Sequence, residues 1–181
     1  MIIFQQNQIK EISEVIINGE IVALPTDTIY GLACKFNDDK AINKIYQIKK
    51  RNYNKPLSVL VGSWEQAKII GVISEELQSF LLKNFNVGKV TVIVLKQSSL
   101  NTQYWINKKT IAIRVSASHF IQELTKLTGP LVATSCNLSN QQPITNYHDI
   151  NFPTLNYKVA GEILDNKPST IFDSFNDKII R

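Results

Sequence analysis

The residues best suited to chemistry in this sequence are hydroxyls and cations that follow apolar segments, as expected where strands end at a ligand site. The first group follows the apolar stretch 21–24, where Pro25 is succeeded by Thr26, Asp27 and Thr28. Hydroxyls at alternate positions of an extended segment point to the same side, so Thr26 and Thr28 can serve one ligand. The competing interpretation is an ordinary turn in which these side chains form hydrogen bonds with backbone groups. When only the local residues are considered, this interpretation is favoured over a ligand site.

A second group is a run of positive charge at the end of a predicted helix, where Lys49, Arg51 and Lys55 stand close together in the chain. Guanidinium and ammonium groups suit phosphate oxygens, so these three side chains can surround a polyphosphate. Cations near the C-terminal end of a helix are also favoured by the helix dipole alone, without any ligand. From the residues themselves the two interpretations are evenly matched.

A third candidate is Arg114, a lone charge within the otherwise apolar β-like segment 110–115. The alternation of a strand places it on the same face as Thr110 and Ala112. An unpaired buried charge costs several kcal/mol, so Arg114 is expected to meet an anion. That anion is either a structural carboxylate or the carboxylate or phosphate of a ligand, and the residues alone leave both open.

The fourth group follows the apolar stretch 131–134, where Ser135 and Asn137 occupy alternate positions. Their side chains can present a hydroxyl and an amide to one ligand if the segment stays extended. A simple cap at the end of a strand explains the same residues, and it is favoured when the segment is considered in isolation.

Several well-known active-site patterns are missing from the sequence. There is no Gly-x-x-x-x-Gly-Lys-Ser/Thr loop and no Gly-x-Gly-x-x-Gly run. The two histidines, His119 and His148, lack the spacing of metal ligands, so no protein-held metal site is predicted. Cys34 and Cys136 are far apart and outside any Cys-x-x-Cys pair, so we expect buried, reduced thiols.

Length and composition favour a single domain over residues 1–181. Hydrophobic residues make up 44% of the chain and charged residues 19%, a balance that argues against disorder. No apolar run approaches the roughly 18 residues of a membrane helix, and the N-terminus lacks a secretory pattern, so we expect a cytoplasmic protein without a membrane partner. The net charge of +5 favours an anionic partner such as a nucleotide or RNA.

Hydrophobic periodicity predicts the elements that must position these groups. Helices are predicted over residues 8–18, 39–50, 74–84 and 118–127. Strands are predicted over residues 21–24, 57–61, 90–95, 110–115 and 131–134, with short ones near residues 158, 163, 170 and 179. Because strands outnumber helices and do not strictly alternate with them, the fold class is α/β with a twisted, mixed β-sheet and flanking helices.

Taken together and in this order, the motifs resemble the YrdC/TsaC family of threonylcarbamoyl-AMP synthases in its short, single-domain bacterial form. The matching stretches are PTDTIYGL (25–32), KKRNYNKPL (49–57), TIAIRV (110–115), PLVATSCNLS (130–139) and STIFD (169–173). The family's Lys-x-Arg and Ser-x-Asn motifs fall on Lys49 and Arg51 and on Ser135 and Asn137. Each stretch alone is weak, but the ordered set is specific and covers nearly the whole chain.

The resemblance implies a sheet that encloses a deep, positively charged cavity. It also implies a reaction in which L-threonine, bicarbonate and ATP, the last with Mg²⁺, give threonylcarbamoyl-AMP and pyrophosphate. A tRNA-modifying transferase complex would then use the product to make threonylcarbamoyladenosine in tRNA. Direct binding of tRNA or another RNA by this chain is a further expectation.

The resemblance also implies roles for individual residues. Three side chains are expected to neutralise the ATP phosphates: Lys49, Arg51 and Lys55. Of these, Lys49 and Arg51 are expected to act in catalysis. The remaining nucleotide contacts are expected from Thr110, Ser135, Asn137, Thr145 and Arg181. The side chains expected to hold L-threonine are Thr28, Arg114, Ser135, Ser169 and Thr170, with Arg114 on its carboxylate.

Four single positions and one short stretch depart from the family pattern. Asn52 replaces a common Pro, Leu60 stands where many long members have His, and the usual Trp-Pro-Gly-Pro stretch is degenerate at 85–89. Cys136 replaces a usual Ala and Asn140 a usual Gly, although Asn tolerates the left-handed backbone of such a turn.

Two other functions compete with this enzyme. One is an RNA-binding module without chemistry, which the net charge permits but which no RNA motif or aromatic platform supports. The other is a related carbamoyl-adenylate enzyme that uses a different amine or carbamoyl donor.

Overall fold

Ten strands pair into one sheet in the computed structural model, which describes residues 1–181. In chain order the strands are β1 (Ile2–Phe4), β2 (Val22–Leu24), β3 (Gly31–Lys35), β4 (Ser58–Val61), β5 (Val90–Leu95), β6 (Thr110–Val115), β7 (Leu131–Ser135), β8 (Tyr157–Val159), β9 (Thr170–Asp173) and β10 (Lys178–Ile179). The helices are α1 (Ile9–Ile17), α2 (Asp39–Lys49), α3 (Trp64–Ile70), α4 (Glu75–Asn84) and α5 (His119–Thr128), with a short 3₁₀ helix at Tyr147–Asp149.

The sheet is mixed, and its strand order is β1-β8-β2-β3-β7-β4-β6-β5-β9-β10. Strand β8 is parallel to both β1 and β2, and the pairs β4–β6 and β5–β9 are also parallel. The other five pairs are antiparallel. This arrangement confirms the predicted α/β fold with a mixed sheet and flanking helices.

Helices cover both faces of the sheet. On one face, α2, α3 and α4 bury their apolar side chains in a cluster of 31 residues that includes the inward-facing side chains of β4, β5 and β6. On the other face, α1 and α5 pack in a cluster of 12 residues against the middle and the β1 side of the sheet. The second face is therefore covered over only part of its width.

Side chains at the helix ends explain where two predicted helices begin. The Asp38 carboxylate accepts a 2.9 Å hydrogen bond from the Ala41 amide and so caps α2, and the Ser74 hydroxyl accepts one of 3.2 Å from the Leu77 amide and caps α4. Helix α2 ends because Lys50 adopts a left-handed conformation, with φ of 49°. This turn sets the direction in which the chain leaves towards Arg51.

One predicted element was wrong, and three elements were missed. The strand expected near Ile163 does not form, because residues 160–169 connect β8 and β9, which lie towards opposite ends of the sheet order, and pair with neither. Strands β1 and β3 and helix α3 were not predicted. Strand β3 contains glycine and alanine instead of β-branched residues, so its sequence carries little strand preference.

Both cysteines are buried and unpaired, as expected. Burial raises the pKa of the Cys136 thiol to about 12, although nearby Lys49 opposes the shift, so Cys136 stays neutral at physiological pH. Every helix in the structure falls short of the length and hydrophobicity needed to cross a lipid bilayer.

Candidate active-site cavity

A cavity of about 220 Å³ lies over the part of the sheet that α1 and α5 leave uncovered. Because side chains alternate along a strand, Ser58 and Leu60 of β4 line the cavity, whereas Val59 and Val61 enter the opposite core. Strands β5 and β6 repeat this alternation. The cavity floor includes several small residues, which leave room for a ligand above the sheet: Gly31, Ser58, Ala112 and Ala133.

Three guanidinium groups line this cavity, those of Arg51, Arg114 and Arg181. Arg51 lies just beyond the left-handed end of α2, and hydrogen bonds of 2.9 Å to the carbonyls of Lys55 and Pro56 hold it in place. Arg181 donates a 3.1 Å hydrogen bond to the carbonyl of Ser169. Burial lowers the pKa of Arg181, and the positive charge of nearby Arg51 lowers it further.

Arg114 meets a structural carboxylate, one of the two partners left open by its sequence. Its Nη2 donates to Asp27 Oδ2 at 3.2 Å and to Thr26 Oγ1 at 3.3 Å, and its side chain is only 11% exposed. Burial lowers the pKa of Arg114, and Asp27 opposes that shift. The Nε of Arg114 has no hydrogen-bond partner in the protein, so the guanidinium retains donor capacity for a ligand.

The two threonines of the first motif have different environments. Thr26 donates its hydroxyl to the carbonyl of Ile29 at 2.7 Å and accepts from the amide of Thr28, so it stabilises the turn. The hydroxyl of Thr28 is buried at the cavity and has no partner in the protein. An unsatisfied buried hydroxyl is costly, which makes Thr28 a candidate for contact with a ligand.

Lys49 is not among the side chains that line the cavity, and its expected contact with phosphate stays a prediction from the family resemblance. Its side chain is 1% exposed, and its ammonium donates to the carbonyl of Ser135, to that of Asn137 at 2.7 Å and to Asn137 Oδ1 at 3.3 Å. Burial lowers the pKa of Lys49 to about 8, and nearby Arg51 contributes to the shift. Lys49 therefore fixes the loop that follows β7.

The Ser-x-Asn motif divides its work between the cavity and this loop. Ser135 lines the cavity at the end of β7. Asn137 is buried outside it, where its Nδ2 donates to the carbonyls of Leu138 and Gln141 at 2.7 and 2.8 Å. The Asn137 amide thus shapes the loop, and its expected contact with nucleotide stays a prediction from the family resemblance.

Residues near β9 form another part of the cavity wall. Ser169 lines the cavity, and its hydroxyl lies 2.8 Å from that of Thr91 on β5. Ile171 also lines the cavity, so the intervening Thr170 faces away, because side chains alternate along the strand. Of the two residues predicted here, Ser169 lines the cavity and Thr170 does not.

Three other predicted residues lie outside the cavity lining. Lys55 is exposed, and its ammonium lies 3.4 Å from Asn140 Oδ1. Thr110 is exposed at the first position of β6, two residues before the first cavity residue of that strand. The carbonyl of Thr145 accepts from the amide of Leu164. Their contacts with nucleotide stay predictions from the family resemblance.

The sequence reasoning missed Asp27, Thr91 and Ser58 as contributors to the site. Asp27 is bound by Arg114, Ser116 and the amide of Ala117, and its location within the threonine motif was the available signal. Thr91 and Ser58 are single polar positions within apolar strands, on the cavity side of the alternation. The alternation of polar and apolar positions can be read from the sequence, but the sequence does not say which side of the sheet carries the cavity.

The donor set of the cavity does not form a metal site on its own. No three His, Cys, Asp or Glu side chains lie close enough together to hold an ion. Mg²⁺ usually takes one or two protein carboxylates together with substrate phosphates. The carboxylate nearest the cavity cations, Asp27, already accepts from three donors, so Mg²⁺ finds no unoccupied carboxylate there.

Fold and site together define an α/β protein with a cationic, hydroxyl-lined cavity on one face of a mixed sheet. The Sua5_yciO_yrdC family model, described as "Telomere recombination", matches residues 14–181. The chain therefore belongs to the Sua5/YciO/YrdC family, which confirms the resemblance drawn from its motifs.

Relatives of this chain include two synthases and one solved structure. The chain is 33% identical over 169 residues to a putative threonylcarbamoyl-AMP synthase of Methanocaldococcus jannaschii, covering 91% of this chain and 79% of that protein. It is 31% identical over 176 residues to the threonylcarbamoyl-AMP synthase of Buchnera aphidicola, covering 91% and 97%. The crystal structure of P. abyssi Sua5 complexed with L-threonine matches with a TM-score of 0.85 and 26% identity, over 97% of this chain and 55% of that one.

Proposed function

We propose that this protein is a threonylcarbamoyl-AMP synthase, a nucleotidyltransferase that converts L-threonine, bicarbonate and ATP into threonylcarbamoyl-AMP, pyrophosphate and water. The observation that supports it most is the convergence of three guanidinium groups and the hydroxyls of Thr28, Ser135 and Ser169 on one cavity. Two relatives that this chain matches over most of their length are named for this activity, and the P. abyssi structure contains L-threonine.

The cationic side of the cavity suits the transfer of the nucleotidyl group. The threonine amine and bicarbonate form a carbamate with loss of water, and the carbamate oxygen attacks the α-phosphate as the bond to pyrophosphate breaks. Negative charge moves onto the departing pyrophosphate, where Arg51 and Arg181 can stabilise it. These arginines are already in place, so little reorganisation is needed during the reaction.

The part of the cavity around Arg114 suits the amino acid. A carboxylate placed against the guanidinium of Arg114 would satisfy donor capacity that the protein leaves unused. The partnerless hydroxyl of Thr28 lies in the same cavity and can bond to the carboxylate or hydroxyl of threonine. Ser169, held by Thr91, offers a further polar contact.

Lys49 supports this chemistry from behind the cavity wall. By binding the carbonyls of Ser135 and Asn137, its ammonium sets the position of the Ser135 hydroxyl. It also adds positive charge close to the cavity without contacting its interior. The catalytic contribution expected of Lys49 is therefore proposed to act through loop geometry and electrostatics.

Three further expectations belong to this proposal. Mg²⁺ would reach the cavity bound to the triphosphate and water, because the chain offers no carboxylate set for it. A tRNA-modifying transferase complex would consume the adenylate. Direct binding of tRNA would draw on the net charge of +5.

Pyrophosphate release tests the proposal directly. The purified protein is incubated with ATP, Mg²⁺, bicarbonate and one amino acid at a time, and pyrophosphate and the adenylate are quantified. We expect release that requires both L-threonine and bicarbonate. Release that is unchanged when threonine is omitted would contradict the proposal, and release with another amine or carbamoyl donor alone would identify a related carbamoyl-adenylate enzyme.

A further inference from the structure

Asp27 is the carboxylate that pairs with Arg114 at the edge of the cavity, and it is held more tightly than a surface acid. Its Oδ2 accepts from Ser116 Oγ at 2.6 Å and from Arg114 Nη2 at 3.2 Å, and its Oδ1 accepts from the Ala117 amide at 2.7 Å. The side chain is 8% exposed. Gly88, in a left-handed conformation, passes so close that a Cβ there would overlap the carboxylate. The surroundings thus allow Asp27 one position.

This immobilised carboxylate determines the position of Arg114. One nitrogen of Arg114, Nη2, donates to both Asp27 and Thr26, and these two bonds hold that end of the guanidinium in place. The Nε of Arg114 and the hydroxyl of Thr28 are left without partners in the protein. A flexible arginine would lose more side-chain entropy on binding a ligand than one that is already held.

Asp27 also limits the positive charge of the cavity. Its negative charge lies against Arg114, whereas Arg51 and Arg181 bond to carbonyl oxygens and have no carboxylate in contact. The cavity therefore has two parts: one where the charge of Arg114 is neutralised by a carboxylate, and one where the charges of Arg51 and Arg181 are not. A monovalent carboxylate suits the first, and a highly charged polyphosphate suits the second pair.

We propose that Asp27 is a positioning residue that reserves Arg114 for the carboxylate of the amino-acid substrate and keeps polyphosphate away from it. This inference rests on the proposed function, because it assigns the two substrates to the two parts of the same cavity. It predicts that removing the charge of Asp27 weakens binding of L-threonine but not of polyphosphate, whereas loss of a residue with only a structural role would weaken both.

The decisive experiment measures both ligands by equilibrium titration and by kinetics in Asp27→Asn. The dissociation constant and KM for L-threonine should rise by about 10- to 100-fold, the effect of losing one charge-assisted contact. Affinity for pyrophosphate should increase or stay unchanged, because Arg114 is no longer neutralised, and the KM for ATP should not rise. Equal weakening of threonine and polyphosphate, or no change in either, would overturn the inference.

Two companion variants keep the result interpretable. Glu123→Gln removes a partly exposed carboxylate that pairs with Lys126 and does not line the cavity, and it should change neither ligand constant. Ser116→Ala removes one donor to Asp27 Oδ2 and should raise the threonine constant alone, by a smaller factor, even if Asp27→Asn fails to fold. If the wild-type protein binds no threonine, the proposed function itself is contradicted. If the wild type binds threonine but Asp27→Asn weakens threonine and polyphosphate equally, only the role of Asp27 is contradicted.

Discussion

The two faces of strands β4, β5 and β6 have different functions although alternating residues of the same three strands form both of them. One face contributes large apolar side chains to the core: Val59, Val61, Val90, Val92, Val94, Ile111 and Ile113. The other face contributes the cavity wall: Ser58, Leu60, Thr91, Ile93, Ala112 and Arg114. Stability and ligand binding are thus separated by a single step along each strand.

This comparison shows how a small domain can tolerate an open, charged cavity next to its sheet. The core face supplies the apolar burial that stabilises the strands, so the cavity face can hold small and polar residues without loss of the sheet. The cost appears on the cavity side as buried groups without hydrogen-bond partners, among them Arg114 Nε and Thr28 Oγ1. Substitutions on the two faces should therefore have separable effects.

The largest effect is expected from Ile113→Ala on the core face. Ile113 is 1% exposed, and truncating a buried isoleucine destabilises a protein by about 2–5 kcal/mol. Urea unfolding should show this loss, while pyrophosphate release per folded molecule stays within about twofold of the wild type. A fall in specific activity as large as the fall in stability would show that the faces are not independent.

A second effect is expected from pH through Lys49, which lies behind the cavity wall. Its folded-state pKa of about 8 lies below its ordinary 10.5, so between these values the unfolded chain holds more protons and the free energy of unfolding rises with pH. The rise attributable to Lys49 is about 3 kcal/mol. Below pH 8 both states are protonated, and this contribution no longer changes.

Comparison with Lys49→Met isolates that contribution from other titrating groups, among them Tyr30, whose pKa burial raises to about 12. Turnover of the wild type should move the other way and fall above pH 8, because a neutral amine holds the carbonyls of Ser135 and Asn137 less strongly. If wild type and Lys49→Met show the same dependence of stability on pH, the ammonium is not the responsible group.

A third, smaller effect is expected from Arg51→Ala on the cavity side. Loss of a charged contact to the phosphates should lower turnover by about 10- to 100-fold, or roughly 1.5–3 kcal/mol, with little change in melting temperature. Lys50→Ala is the matched control, since Lys50 is an exposed cation next to Arg51 but does not line the cavity. Equal loss of turnover in Arg51→Ala and Lys50→Ala would show that the overall positive charge of this region matters, and not the contact of Arg51 in the cavity.

The smallest effect is expected from Thr110→Ala. Thr110 shares the face of Ala112 and Arg114 but lies beyond the cavity, so its removal should change the KM for ATP by less than about twofold, as is usual for surface positions. A large rise in the ATP constant would restore the nucleotide contact implied by the family resemblance. It would also extend the binding face along β6 beyond the cavity.

Periodicity was a reliable guide where apolar residues recur strongly. Helices α1, α2, α4 and α5 and strands β5 and β6 lie within a residue or two of their predicted bounds. Strand β3, with glycine and alanine at Gly31 and Ala33, and the short helix α3 lacked such a pattern. Strand β3 forms because β2 and β7 pair with it on either side, a tertiary reason that local sequence does not contain.

The same limit applies to the site. The types of Arg51, Arg114 and Ser135 suggested a shared cavity, and the structure places all three around one. The direction of the Lys49 ammonium and the orientation of Asn137 could not be predicted, because both depend on hydrogen bonds within a loop that is 86 residues or more from Lys49 in sequence.

The order of residues along the chain was enough to predict the alternation along β5 and β6, four of the helices and the ordered motifs that identify the family. Only the tertiary structure decided which face of the sheet stays open, and that Arg114 pairs with an aspartate 87 residues away while Lys49 turns from the cavity into a loop. The physical reason is that alternation along one strand is a local property of the backbone. The partner of a charge depends instead on how distant segments are brought together across the sheet.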